Sequence, residues 1–175
     1  MRIRNFTVFL FNAALLVSSA LFAQGPDPLT KFSPDHLTIS TYRDNKPLEF
    51  SAAEFKAIAH ISVTIHNSHT NADETYSGVR LSDLLARIGA PLGNNLRGKT
   101  LANYVVATGS DGYKAVLALG EIDPAFHPGE VLVADALDGK PLDTHAGPFK
   151  LVVSEDKRPA RSVRNLVSIE LKEPN

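Results

Sequence analysis

The chain has 175 residues, no cysteine, and 18 basic against 19 acidic side chains, for a formal net charge of −1. The missing cysteine excludes disulfides, zinc ribbons, iron–sulfur clusters and thiolate nucleophiles, so the apolar core alone must supply stability. The near-neutral balance, without a basic patch or a run of like charge, argues against nucleic acid as a partner.

Arg2 and Arg4 precede a mostly apolar stretch from Phe6 to Val17, and small residues follow at Ser18, Ser19, Ala20 and Ala23. Basic, then apolar, then small is the order of a secretory signal, and it predicts a signal peptide over residues 1–23 with cleavage before Gln24. The apolar stretch is near the lower limit of the roughly 17–25 residues that a membrane helix needs, and its small-residue end favours cleavage over anchoring. The expected location is periplasmic or extracellular, with no membrane span after signal cleavage. Residues 24–34, with three prolines and a glycine, read as an extended leader. Residues 35–175 remain as one domain, and about 150 residues in the mature chain are enough to bury a core.

His36 to Ser40 alternates apolar and polar and predicts a strand; Asp44 to Pro47 predicts a turn. Ser51 and Glu54 have the spacing of a capping box, which opens a short helix to about Ile58. Ile61, Val63 and Ile65 alternate with Ser62, Thr64 and His66, a strand with one apolar face. Asn67 to Glu74 is polar and reads as a loop. Leu81, Leu84, Leu85 and Ile88 mark one face of a helix that Gly89 terminates. Tyr104 to Thr108 and Tyr113 to Leu119 predict a hairpin around Gly109-Ser110-Asp111-Gly112. Val131 to Ala136, Phe149 to Val153 and Val167 to Leu171 are further strands, the first followed by an Asp138-Gly139 turn. Only two helices stand out, and the later strands are joined by connections too short for helical crossovers. The expected fold is α+β, mixed and strand-rich with few short helices, not a doubly wound parallel sheet.

Several of these blocks, in this order, resemble the molybdopterin-binding domain of sulfite-oxidase-type enzymes. Tyr76 to Leu85 followed by Gly89 resembles the family's "aromatic, x, Gly-Val, x, Leu, x, x, Leu-Leu, then Gly" segment. Ser110 to Tyr113 resembles its turn before a strand entering the cofactor pocket, and Asp138 to Leu142 its "Asn/Asp-Gly-x-Pro-Leu" turn. His145 to Val153 resembles its "His-Gly-x-Pro-x-Arg-Leu-Val" signature, and Arg161 to Ile169 its closing basic segment and last strand. The resemblance covers residues 35–172 and implies a sulfite-oxidase-like fold, a molybdopterin cofactor and oxidoreductase chemistry.

The chain departs from that pattern in three ways. Family members place a cysteine near the strand before the Gly-Val block, and its thiolate ligates molybdenum beside the two sulfurs of the pterin. Here the corresponding stretch, Ile61 to Ser68, holds no cysteine. The family's arginine for an anionic substrate is Lys150, which keeps the charge and loses the bidentate fork. The insertions with which larger members wrap the cofactor are missing.

The resemblance and the residue chemistry together single out Tyr113, His145, Lys150, Arg161 and Arg164 as ligand or cofactor contacts, with Tyr113, Lys150 and at least one of Arg161 and Arg164 facing a common cleft and His145 near its rim. A phenol and clustered cations suit an oxyanion; the competing reading is a strand aromatic and solvated surface charge, Arg158 included. His66 and His69, with His60 nearby, are metal ligands only if a third ligand joins them, and surface histidines otherwise. The expected function is an exported, non-catalytic or divergent molybdopterin-oxidoreductase-like domain that binds a small anionic ligand or an envelope protein. The alternative is an atypical molybdopterin-dependent oxidoreductase whose metal is held by the pterin, or by His66, without a cysteine.

Overall fold

The computed structural model describes residues 35–67 and 70–174. The predicted signal, the leader and His69 lie outside the described residues. Among those described, no helix is long and apolar enough to cross a membrane.

Two five-stranded sheets pack face to face. The first contains β1 (His36–Thr41), β2 (Asp44–Ser51), β5 (Tyr104–Gly109), β6 (Lys114–Ala118) and β10 (Leu166–Lys172), in the order β2-β1-β10-β5-β6. The second contains β3 (Ile61–Asn67), β4 (Ala72–Arg80), β7 (Val131–Leu137), β8 (Lys140–Pro141) and β9 (Lys150–Val153), with β7 between β4 on one side and β8 and β9 on the other. The β1–β10 pair is parallel, with Thr38 beside Ser168; the other pairs are antiparallel. This is the strand-rich α+β architecture that the sequence pattern predicts.

The two anticipated helices form for the anticipated reasons. Ser51 Oγ accepts from the Glu54 amide at 3.3 Å and the Glu54 carboxylate accepts from the Ser51 amide at 2.9 Å, which caps α1 (Ala52–Lys56). In α2 (Leu81–Arg87), Leu81, Leu84 and Leu85 are fully buried, and Gly89 follows at φ +71°. The main core lies between the sheets under these helices, with Phe55 and Phe149 edge-on at 5.1 Å at its centre. A smaller apolar cluster of Tyr76, Leu132, Ala134 and Val152 covers the opposite face of the second sheet.

Three local differences have simple causes. The segment 67–74, expected as a loop, contributes strand instead: β4 begins at Ala72 and pairs Asp73 with His66 and Glu74 with Ile65. Its first residues face solvent, so no apolar alternation marks them. The first turn falls at Tyr42-Arg43, ahead of Asp44, because β2 is an edge strand and tolerates Pro47. A third helix, α3 (Leu119–Ile122), is one turn long, too short for a helical period to show.

The Gly-Val step of the β4 motif also acquires a reason. A Cβ on Gly78 would lie 2.0 Å from the Val133 carbonyl oxygen and 2.6 Å from Ala134 Cα. The register shifts here, Ser77 facing Ala136 and Gly78 facing Ala134, so Asp135 is the bulged residue. Only glycine fits so close a backbone approach.

Candidate functional site

Strand register brings the site together. Lys150 of β9 faces Ala134 of β7, which faces Gly78 of β4; Tyr76, two residues earlier on β4, shares that face. The Lys150 ammonium therefore sits over Tyr76, 4.3 Å from the ring centroid, and donates to its hydroxyl at 2.6 Å. Tyr76 donates onward to Glu74 Oε2 at 2.8 Å, and Asn67 Nδ2 donates to Glu74 Oε1 at 2.5 Å. Burial, then the hydrogen bond and charge of Glu74, push the Tyr76 phenol well up, which keeps it protonated. Burial pulls the Lys150 ammonium down; Arg164 adds to that effect, while Glu74 and Asp143 oppose it.

This line of groups forms the floor of a cleft of about 750 Å3 walled by the β3–β4 hairpin, the 137–143 turn and the loop after β9. A smaller hollow of about 430 Å3 adjoins it, lined by Asp111, Tyr113 and Ala160; Lys150, Pro159, Ser162 and Arg164 line both.

Five carboxylates and four lysine or arginine cations line these walls, and each carboxylate accepts hydrogen bonds from the protein. Glu74 holds Tyr76 and Asn67. Asp138 accepts from the Thr75 amide, Asp143 from the His145 and Ala146 amides, and Asp111 from the Tyr113 amide. Asp156 accepts two bonds from Arg161, at 2.9 and 2.6 Å. Among the described residues, no carboxylate lies within 4.0 Å of the Lys150 or Arg164 cation. Arg164 instead turns its guanidinium toward His145 Nε2. Lys150 and Arg164 thus face the cleft, which Lys140 and Lys157 also line, without a directly paired carboxylate among the described residues, while Glu74 and Asp143 act on Lys150 through space.

Four of the five residues singled out from the sequence line these two hollows. Lys150, Arg164 and His145 line the larger, and Tyr113 the smaller, half exposed and donating to the Ala160 carbonyl at 2.6 Å. Arg161 does not join them. Its guanidinium is fixed between Asp156 and Glu121, and those carboxylates hold its pKa above the ordinary arginine value. It anchors the loop after β9 to α3 and offers no free charge. Arg158 is exposed. His66 stands at the cleft edge with Nδ1 2.8 Å from Asp73, and His60 faces Asp135 at 3.2 Å beside a separate hollow on the far side of β8. Among the described residues, no three His, Cys, Asp or Glu side chains converge as metal ligands.

Sequence reasoning passed over Tyr76, Glu74 and Asn67. The signal was the two-residue step from Glu74 to Tyr76, which puts both on one face of a strand. It was hidden because residues 67–74 read as a loop.

Residues 26–175 match the family model of the oxidoreductase molybdopterin binding domain. No curated protein matches the chain. Among solved structures, the fold is similar to that of the sulfane dehydrogenase SoxCD from Paracoccus pantotrophus, with a TM-score of 0.60 and 17% identity over 81% of this chain. The match spans 39% of that protein's chain, and at this identity the likeness is one of fold. With all of the described residues inside the matched range, the chain belongs to the oxidoreductase molybdopterin-binding domain family.

Proposed function

We propose that this chain is an exported, divergent member of the family that binds a small oxyanion between Lys150 and Arg164, and that it has lost sulfite-oxidase-type catalysis. The observation that carries this reading is the pair of cations lining one cleft wall while the surrounding carboxylates are held by the protein's own donors. An oxyanion there would accept charge-assisted hydrogen bonds from both, stronger than neutral ones. Lys150 has one acceptor in Tyr76, which leaves donors for a ligand. Export is supported by Arg2, Arg4, the apolar stretch and the small residues to Ala23.

The residues present do not fit the family's metal centre. No cysteine exists to place a sulfur on molybdenum. The nearest substitute on β3, His66, is held by Asp73 and gains no further protein ligands among the described residues. No redox step is therefore assigned to the cleft.

The test is ligand linkage. Sulfate or phosphate should raise the melting temperature of the mature chain beyond chloride at equal ionic strength. Lys150→Ala should remove most of that rise. A wild type indifferent to every small oxyanion would overturn the reading. About one molybdenum per chain, after expression in a host that makes the cofactor, would instead favour the atypical oxidoreductase. Exported material that still begins at Met1 would refute signal cleavage.

A further inference from the structure

We propose that Lys150 is an imine-forming amine, and that the ligand class of the cleft is a small anionic carbonyl compound, an aldehyde acid or 2-oxo acid, whose carbonyl carbon meets Lys150 Nζ while its carboxylate lies against Arg164. This rests on the oxyanion reading of the same cleft and narrows it.

The geometry sets Lys150 apart from a surface lysine. Its side chain lines both hollows. It has no carboxylate within ion-pair distance among the described residues, and its hydrogen-bond acceptor is the neutral phenol of Tyr76. That phenol already directs its own proton to Glu74, so its oxygen faces Lys150 as an acceptor only. A neutral amine satisfies that oxygen with one N–H and keeps its lone pair for attack. The stem lies on the apolar cluster of Tyr76, Ala134 and Val152, which disfavours the ammonium form. Arg164 adds like charge; Glu74, more strongly, and Asp143, more weakly, oppose it through space, so desolvation is the leading effect, and neither carboxylate pairs directly with the amine. A lysine desolvated beside a second cation is the environment that activates an amine toward carbonyls. By contrast, Lys172 is paired to Glu170 at 2.9 Å and is held protonated.

The step balances without an oxidant. The Lys150 nitrogen bonds to the carbonyl carbon as the C=O π pair moves to oxygen. One N–H proton passes to that oxygen, giving a carbinolamine. The second N–H proton leaves with the hydroxyl as the C–O bond breaks, and one water departs from the resulting imine. Arg164 holds the carboxylate throughout and takes no part in bond making.

Glyoxylate with sodium cyanoborohydride traps such an imine as a carboxymethyl amine, read by intact mass and peptide mapping of the mature chain. The expected result is one adduct, at Lys150, ahead of every other lysine. Its pH–rate profile should have a midpoint below that of exposed lysines. Glyoxylate should react roughly tenfold faster than acetaldehyde, the worth of one charge-assisted contact, and sulfate should slow it. Lys150→Arg should lose the selective adduct while the slow background adducts at the other lysines are unchanged. Adducts spread evenly over the lysines would overturn the proposal, and so would equal rates for glyoxylate and acetaldehyde. If the selective adduct fails while sulfate still stabilises the wild type, the imine falls and the oxyanion reading stands. Rapid Lys150 labelling with no sulfate effect would overturn the oxyanion reading itself.

Discussion

Tyr76→Phe tests whether the line from Lys150 to Glu74 is an organised part of the cleft floor. The substitution deletes one oxygen and leaves the buried ring, so packing and the 4.3 Å ammonium–ring contact should survive. Two hydrogen bonds go, from Lys150 at 2.6 Å and to Glu74 at 2.8 Å, each with a charged partner. A bond to a charged group contributes about 1.5–3 kcal/mol when its partners stay buried. Lys150 and Glu74 are only half-buried and can turn to water, so the loss should be nearer 1–3 kcal/mol for the pair together. Urea unfolding followed by circular dichroism should show a lower midpoint with an unchanged slope. Sulfate should still raise the melting temperature, because both cations remain. A stability change within error of zero would mean that the Tyr76 hydroxyl is already solvated, and the floor would not be the ordered feature described here.

Leu84→Ala should cost about 2–5 kcal/mol by urea unfolding, because the side chain is fully buried in the main core; a loss under 1 kcal/mol would misplace α2. Gly78→Ala should yield little folded protein by circular dichroism, since its Cβ would meet backbone atoms of β7 that cannot step aside. Glu121→Gln should destabilise the chain at pH 7 and progressively less in acid. Burial opposes ionisation of Glu121, but Arg161 and the Ala118 amide outweigh it and lower its pKa from 4.5. A carboxylate so lowered contributes stability above the unfolded value of 4.5, and that contribution fades as pH falls through the folded one. Melting curves of the two proteins should therefore converge below pH 4.5; a constant gap would remove the Arg161 pairing as the cause.

The fold was legible wherever one face of an element is apolar. Leu81, Leu84 and Leu85 repeat with a helical period, Val131 to Ala134 is apolar without a break, and Ser51 and Glu54 announce a helix start. Asp138-Gly139 reads as a two-residue hairpin turn, and both residues take positive φ, 49° and 76°. The β3–β4 hairpin was not legible, because Asn67 to Glu74 has no apolar face to carry a period. The site follows the same division. Lys150, His145 and Arg164 stood out because charged or imidazole groups flank a recognisable signature. Arg161 shares that chemistry, and only the three-dimensional placement of Asp156 and Glu121 assigns it to an anchor. Tyr76 went unremarked because a tyrosine on a strand is ordinarily core, and its contact with Lys150 joins residues far apart in the chain.

The position of β10 has a consequence for the order of folding. This strand lies at the centre of its sheet, parallel to β1 on one side and antiparallel to β5 on the other. A nascent chain that emerges residue by residue can close the β5–β6 and β1–β2 pairs early, but the two pairs cannot join into one sheet until Leu166 to Lys172 are made. The first sheet thus assembles last, through the contacts most distant in sequence, which are the slowest to form. Until then the apolar face of β1, with Leu37 and Ile39, has no core to enter. The C-terminal strand is therefore the piece whose arrival completes both the sheet and the cover of that face.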